Sequence, residues 1–247
     1  MGKTYKAAMV VIGNEILSGR TQDQNISYIA RKMVESGVVL AEVRVVPDIE
    51  KVIVKTIRDL KKKMDYVFTS GGIGPTHDDI TAQSVSKVFR VALETNDEAF
   101  QILMDHYGED EFTHARQKMA KTPVGAKLIP NPVSAAPGFI MENVYVMAGV
   151  PAIFQAMVDD VAVNLKGGAV IHSRTVPSRF AESRIAEALE EIQNKFPMVD
   201  IGSYPYFKDG ELGVNVVLRF SDEVVLSQAV MDVEIMISAL EDQGAGD

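Results

Sequence analysis

The chain has 247 residues, 47% of them hydrophobic and 24% charged, an ordinary globular balance with room for one large domain or a standard one plus a small companion. Its 34 acidic against 25 basic side chains give a formal net charge of -9, which lacks the basic footprint of a nucleic-acid binder or of a protein docked on an anionic membrane. Cysteine is absent, which excludes disulfides, thiolate zinc sites, iron–sulfur clusters and cysteine nucleophiles and makes the cytoplasm the expected compartment.

Residues 1–6 lead into an apolar run ending at Ile12, too short to span a bilayer and followed by no small-residue cleavage signal, so it reads as a first strand. Residues 39–46 form a second, mostly apolar run, read like the first as a strand covered on both faces. Between them Ile26, Ile29, Ala30, Met33 and Val34 recur at helical spacing, with Gly37 where the helix should stop. A second helix carries Ile49, Val52, Ile53, Ile57 and Leu60 on one stripe and leads to a third strand at 66–69. The order β-α-β-α-β predicts a parallel sheet with right-handed crossovers and a ligand site beyond the carboxyl ends of its strands.

After a Gly-rich segment at 70–81, the pattern predicts a helix through Val85, Val88 and Phe89 and further helical sequence to about Ala120. A punctuated stretch at 123–138 precedes a hairpin at 139–147, and Pro151 opens a helix to about Leu165. Gly167 and Gly168 mark a boundary between domains at 1–167 and 168–247. The second reads as strand 169–176, helix 180–194, strands 198–204 and 213–220 and helix 224–240, with a frayed tail over 241–247.

The segment SGGIGPTHDDIT at 70–81 carries the most chemistry. Its glycines let the backbone approach a ligand, and the helix that follows offers unpaired N–H groups and a positive dipole end, together a cradle for phosphate. Read as a bare turn, the segment would need one capping residue, not the adjacent acids Asp78 and Asp79. Neither G-x-G-x-x-G nor a P-loop is satisfied here or in GNEILSGRT at 13–21.

Three strands end in acids or amides: Asn14 and Glu15, then Asp48, then Asp78 and Asp79. Carboxylates beside a phosphate repel it unless a hard cation lies between, which predicts Mg²⁺ or another divalent metal. As plain structure, the same acids would be solvated loop residues and helix starters. The segments NPVSAAPG at 131–138 and GVP at 149–151 read either as rigid turns or as the far wall of the pocket, with Gly149 and Pro151 at a second helix start. His77, His106, His114 and His172 show no metal-ligand spacing, and nothing places a base near Ser134.

Taken in order, IGNEILSGRT at 12–21 with Asn25, VPD at 46–48, the 70–81 segment, APG at 136–138 and AGVP at 148–151 resemble the molybdopterin-binding (MoaB/Mog-type) domain, and more narrowly the CinA-like family. The same domain precedes some FAD synthases. The resemblance covers about residues 5–166, with the smaller unit similar to the α+β domain that follows in CinA-like chains. It implies a three-layer α/β/α, mostly parallel sheet with a small C-terminal α+β domain, and a homo-oligomer. Asp48 and Asp79 take the places of that family's functional carboxylates.

The expected ligand is a phosphate-bearing pterin, such as molybdopterin, or a nucleotide. If catalytic, the chain is expected to be a metal-dependent nucleotide pyrophosphatase acting on ADP-ribose or FAD. In that reading Asp48 and Asp79 are catalytic and Asp78, Asp79 and Glu15 hold the ion. Gly71, Gly72, Gly74, Pro75, Thr76, Thr81, Ser134, Pro137, Gly138, Gly149 and Pro151 line the ligand. The alternatives are a molybdenum-cofactor enzyme that adenylylates molybdopterin and a non-catalytic binding or scaffold module. Asn14, Ala148 and Ile153 depart from the family pattern, which commonly has Asp, Pro and an acid there. No carboxy-terminal amidase or FAD synthase domain is expected to follow.

Overall fold

A computed structural model describes residues 3–208 and 210–244 and divides into two compact units, residues 1–168 and 169–247. In the first, β1 (Tyr5–Ile12), β2 (Val38–Val46), β3 (Tyr66–Ser70) and β8 (Val144–Met147) run parallel. The sheet continues antiparallel through β7 (Gly138–Met141) to β6 (Lys127–Ile129), in the order β2-β1-β3-β8-β7-β6.

Alternation along β1 explains the layers. Ala7, Met9 and Val11 point into a core with Ile29 and Met33 of α2 (Asn25–Glu35) and Phe154 and Met157 of α7 (Pro151–Ala162). Ala8, Val10 and Ile12 point the other way, to Ile53 and Ile57 of α3 (Glu50–Leu60) and Val85 of α4 (Thr81–Phe89). Every β1 residue from Ala7 to Ile12 is at most 3% exposed, so the strand reads as an unbroken apolar run. The result is a three-layer α/β fold with a mostly parallel sheet. A four-residue helix, α1 (Asn14–Leu17), follows β1 directly.

The stretch expected to stay helical to Ala120 breaks up. The α4 helix ends at Phe89, and β4 (Leu93–Thr95) pairs antiparallel with β5 (Lys121–Pro123) around α5 (Asp97–Tyr107) and the short α6 (His114–Gln117). The cause is local capping. The Asn96 side chain accepts a 2.9 Å hydrogen bond from the Ala99 N–H, Asp97 and Glu98 follow in the first turn, and Thr113 caps α6. Ala99, Leu103, Phe112 and Ala120 give this insertion its own small core.

The second unit has the order β9 (His172–Ser178), α8 (Glu182–Lys195), β10 (Asp200–Lys208), β11 (Glu211–Phe220), α9 (Glu223–Gly244). Its three strands are antiparallel, in the order β10-β11-β9. Val176, Val214, Val216 and Leu218 pack with Ile185 and Ile192 of α8 and Leu226, Ala229 and Val233 of α9. Helix α9 carries residues 241–244 of the tail expected to fray, and 245–247 lie outside the described residues. Among the described residues no helix is long and apolar enough to cross a membrane.

Candidate functional site

The parallel register brings four loops together. Ile12 pairs with Val46, Val11 with Ser70, and Ser70 with Met147, so the chain leaves β1, β2, β3 and β8 at one edge of the sheet. Gly13 donates its N–H to the Val46 carbonyl at 3.2 Å, and Gly71 donates its N–H to the Met147 carbonyl at 3.1 Å. Asn25 at the start of α2 ties two of these loops: its amide donates to Ser70 Oγ and to the Gly149 carbonyl, both at 2.8 Å. Its own Oδ1 is buried with no partner among the described residues.

The glycine loop folds over its own helix. Gly71 and Gly72 have φ of 105° and 71°, in the left-handed region that favours glycine. Thr81 is fully buried beneath them, donating its hydroxyl to the Gly71 carbonyl at 2.9 Å and its N–H to the Gly72 carbonyl at 3.0 Å. At Gly74 a Cβ would lie 2.7 Å from Asp79 Oδ2, so only glycine lets that carboxylate lie against the loop. The N–H groups of Gly72, Ile73 and Gly74 make no hydrogen bond with another described residue.

Thr76 organises the two acids. Its N–H donates to Asp79 Oδ2 at 2.8 Å, and its hydroxyl lies 2.5 Å from that same oxygen and 2.6 Å from Asp78 Oδ1. A hydroxyl has one proton to give, so two carboxylates converge on a single donor. The Thr76 hydroxyl holds the Asp78 carboxyl below the usual carboxylate range. Asp48 is oriented separately, with Oδ2 accepting the Asn14 N–H at 2.8 Å.

A cavity of about 560 Å³ gathers most of the residues singled out in the sequence. Glu15, Asp48, Asp78 and Asp79 line it with Gly71, Gly72, Gly74, Pro75 and Thr76, and Ser134, Gly149 and Pro151 are also in its wall. Three expected ligand residues are elsewhere. Thr81 sits under the loop, Gly138 is built into β7 where a Cβ would lie 2.5 Å from the Val146 carbonyl, and Pro137 lines a second cavity. The Glu15 carboxylate folds back over Gly13, and among the described residues no group of three or more acids or histidines is placed to hold a metal ion.

The structure puts part of the 131–138 segment in the wall and adds Met119, which the sequence did not point to. Asn131 is a wall residue whose side chain accepts the N–H groups of Val133 and Ser134 and donates to Ser134 Oγ and the Ala136 carbonyl, which shapes the turn that presents Ser134. Thr21, Met119, Ala148 and Ile153 are also in the lining. The Asn131-Pro132 dipeptide was the available signal, since Asn before Pro favours a turn. Met119 could not be found so, because it arrives from the insertion.

The second cavity, of about 680 Å³, shares Gly72 to Thr76, Asp79 and Met119 with the first. Ala82 and Gln83 in the first turn of α4 line it, together with Lys118 and Lys121. The helix start therefore faces this second space.

Comparison with known proteins agrees with this architecture. Residues 8–166 match the family described as "Probable molybdopterin binding domain", and residues 170–241 match "FAD synthase, middle domain". The chain belongs to the molybdopterin-binding domain family. Within it the chain is CinA-like: the crystal structure of CinA from Thermoplasma acidophilum, a protein of unknown function, aligns at a TM-score of 0.62 and 32% identity, over 65% of this chain and 98% of that one. A protein of Archaeoglobus fulgidus is 32% identical over 232 residues, 93% of this chain and 97% of its own length. Another, of Pyrococcus abyssi, is 31% identical over 240 residues, 91% of this chain and 94% of its own length.

Proposed function

We propose that the chain binds a phosphate-bearing pterin or nucleotide at the glycine loop and hydrolyses a nucleotide pyrophosphate, ADP-ribose or FAD, with a divalent ion. The observation that carries this reading is the convergence of Asp48, Asp78 and Asp79 on one cavity whose wall is the glycine loop with unpaired N–H groups. Asp78 and Asp79 are too few to enclose an ion by themselves. They fit the way Mg²⁺ is held, by one or two carboxylates with substrate oxygens completing the shell. An ion bound there would supply charge neutralisation at the diphosphate.

The remaining chemistry belongs to the chain. Asp48, fixed through Oδ2 by the Asn14 N–H, has Oδ1 available to accept a proton from the attacking water. The water oxygen bonds to one phosphorus as that phosphorus loses its bond to the bridging oxygen, which leaves on the second phosphate. ADP-ribose would thus give AMP and ribose phosphate. The Gly72, Ile73 and Gly74 N–H groups are donors for the charge that builds on the phosphate oxygens.

The test is AMP release from ADP-ribose and FAD with Mg²⁺, Mn²⁺ or Co²⁺ supplied separately. Metal-dependent release abolished by Asp79→Ala is the expected result. Release that survives Asp79→Ala removes Asp79 from the mechanism. No release from either substrate, together with AMP transfer from ATP to molybdopterin, would replace hydrolysis by adenylylation. The reading includes a homo-oligomer, supported by the outer edge of β2, where Val39, Val43 and Val45 are exposed at the end of the sheet. Sedimentation of wild type against Val43→Lys tests it.

A further inference from the structure

The two cavities share the glycine loop and differ in charge. In the first, Glu15, Asp48, Asp78 and Asp79 face the space, and among the described residues no lysine or arginine lines it. In the second, Lys118 and Lys121 stand against the single carboxylate Asp79, whose charge is already engaged by the Thr76 N–H and hydroxyl. Lys118 donates to the Thr76 carbonyl, which leaves two of its three N–H groups for another acceptor. The first turn of α4 points its orphan donors the same way: the N–H groups of Ala82 and Gln83 have no partner among the described residues.

We propose that this second cavity is the anion seat of the ligand, taking one phosphate of its diphosphate (or the phosphate of a pterin), while the acidic cavity across the loop takes the part of the ligand on the other side of the bond to be broken. Without an ion, a phosphate in the acidic cavity would meet four carboxylates, whereas in the second it meets two ammonium groups and a helix amino end against Asp79 alone. The volume of about 680 Å³ is that of a small-molecule site, and Ile73, Phe100 and Phe139 add apolar surface to its lining. A ligand crossing the loop would lay the bond next to its phosphate along Gly72 to Thr76, beside Asp79. Lys121, at the start of β5 and exposed, is the specificity-determining residue of this seat.

The proposal rests on the reading that the glycine loop is a ligand site, and it makes the phosphate contact independent of a metal and of turnover. The experiment is calorimetric titration of the full chain with ADP and with adenosine, in EDTA. ADP is expected to bind at least tenfold more tightly than adenosine. Lys121→Glu should weaken ADP by tenfold or more without moving adenosine, with Lys121→Arg restoring it and the melting temperature unchanged in both. Equal affinity for ADP and adenosine would overturn the proposal. So would ADP binding that ignores Lys121→Glu and improves in Asp48→Asn, which would put the phosphate on the acidic side. Selective ADP binding without AMP release in any metal leaves this seat standing and removes the hydrolytic reading. Metal-dependent AMP release without Lys121-dependent selectivity does the reverse.

Discussion

The main sheets of the two units handle their faces differently, and that decides where chemistry can sit. Strand β1 buries both faces, with Ala7, Met9 and Val11 against α2 and α7 and Ala8, Val10 and Ile12 against α3 and α4. Strand β11 buries one: Val214, Val216 and Leu218 face the helices, while Asn215, Val217 and Arg219 between them are only half-buried. A doubly covered sheet has nowhere to display polar side chains except beyond its strand ends. The four acids that line the first unit's cavity are there, and the second unit instead spreads Tyr204, Asn215 and Arg219 across a face.

The largest effect should come from opening the doubly covered core. Met9→Ala removes a fully buried side chain and should cost about 2–5 kcal/mol, read from the urea midpoint. A cost near that of a surface substitution would mean that the layers repack freely. At the strand ends the loss should be catalytic. Asp48→Asn keeps the shape and removes the proton acceptor, and should lower pyrophosphate turnover by about 100-fold or more while leaving the melting temperature near wild type.

Asn25→Ala should come next, at about 1–3 kcal/mol, because Ser70 Oγ and the Gly149 carbonyl lose their shared donor in a buried place. The same change should weaken ligand binding, since two of the loops around the acidic cavity are tied through that amide. Stability falling with binding intact would make Asn25 a packing residue only. On the open face of the second unit, Val217→Ala should cost about 1 kcal/mol, since a half-buried valine gives up only part of the roughly 1.5–3 kcal/mol of a fully buried one.

Much of this was legible in the residues, for a physical reason. Strands covered on both faces write continuous apolar runs, and helices with one buried stripe write period 3.6, so β1, α2 and α3 announce themselves, whereas β2, expected to be covered on both faces, is an edge strand exposed or half-buried from Val39 to Val45. Strand ends follow, and with them Asp48, Glu15 and the 70–81 loop. The β4 and β5 strands, three residues each with exposed or half-buried members, carry too little pattern to separate from the helical sequence around them. Met119, Lys118 and Lys121 reach the glycine loop only because that insertion folds back, a long-range event no local period records. Thr81 and Gly138 stand in motif positions yet serve the backbone, which composition cannot distinguish from contact with a ligand.

The smallest effect lies at the opposite edge of the first sheet, where Asp65 precedes β3. Its carboxylate accepts Lys3 Nζ at 2.6 Å and the Lys6 N–H at 2.9 Å, fastening the start of β1 to β3. The Lys3 hydrogen bond, and then the Lys6 N–H, hold the Asp65 carboxyl below its usual range. A carboxyl whose folded pKa is lowered contributes its full stabilisation above the unfolded value of about 3.9 and loses it as pH falls through the folded one. The melting temperature of wild type should therefore exceed that of Asp65→Asn by a constant margin from pH 5 to 7, in the range of about 5 to 7 where the carboxyl is ionised in both states, and the margin should close below about pH 4. A margin that widens on acidification would mean that burial, not Lys3, governs this carboxyl. The tie would then belong to the doubly covered core and not to a solvated strand edge.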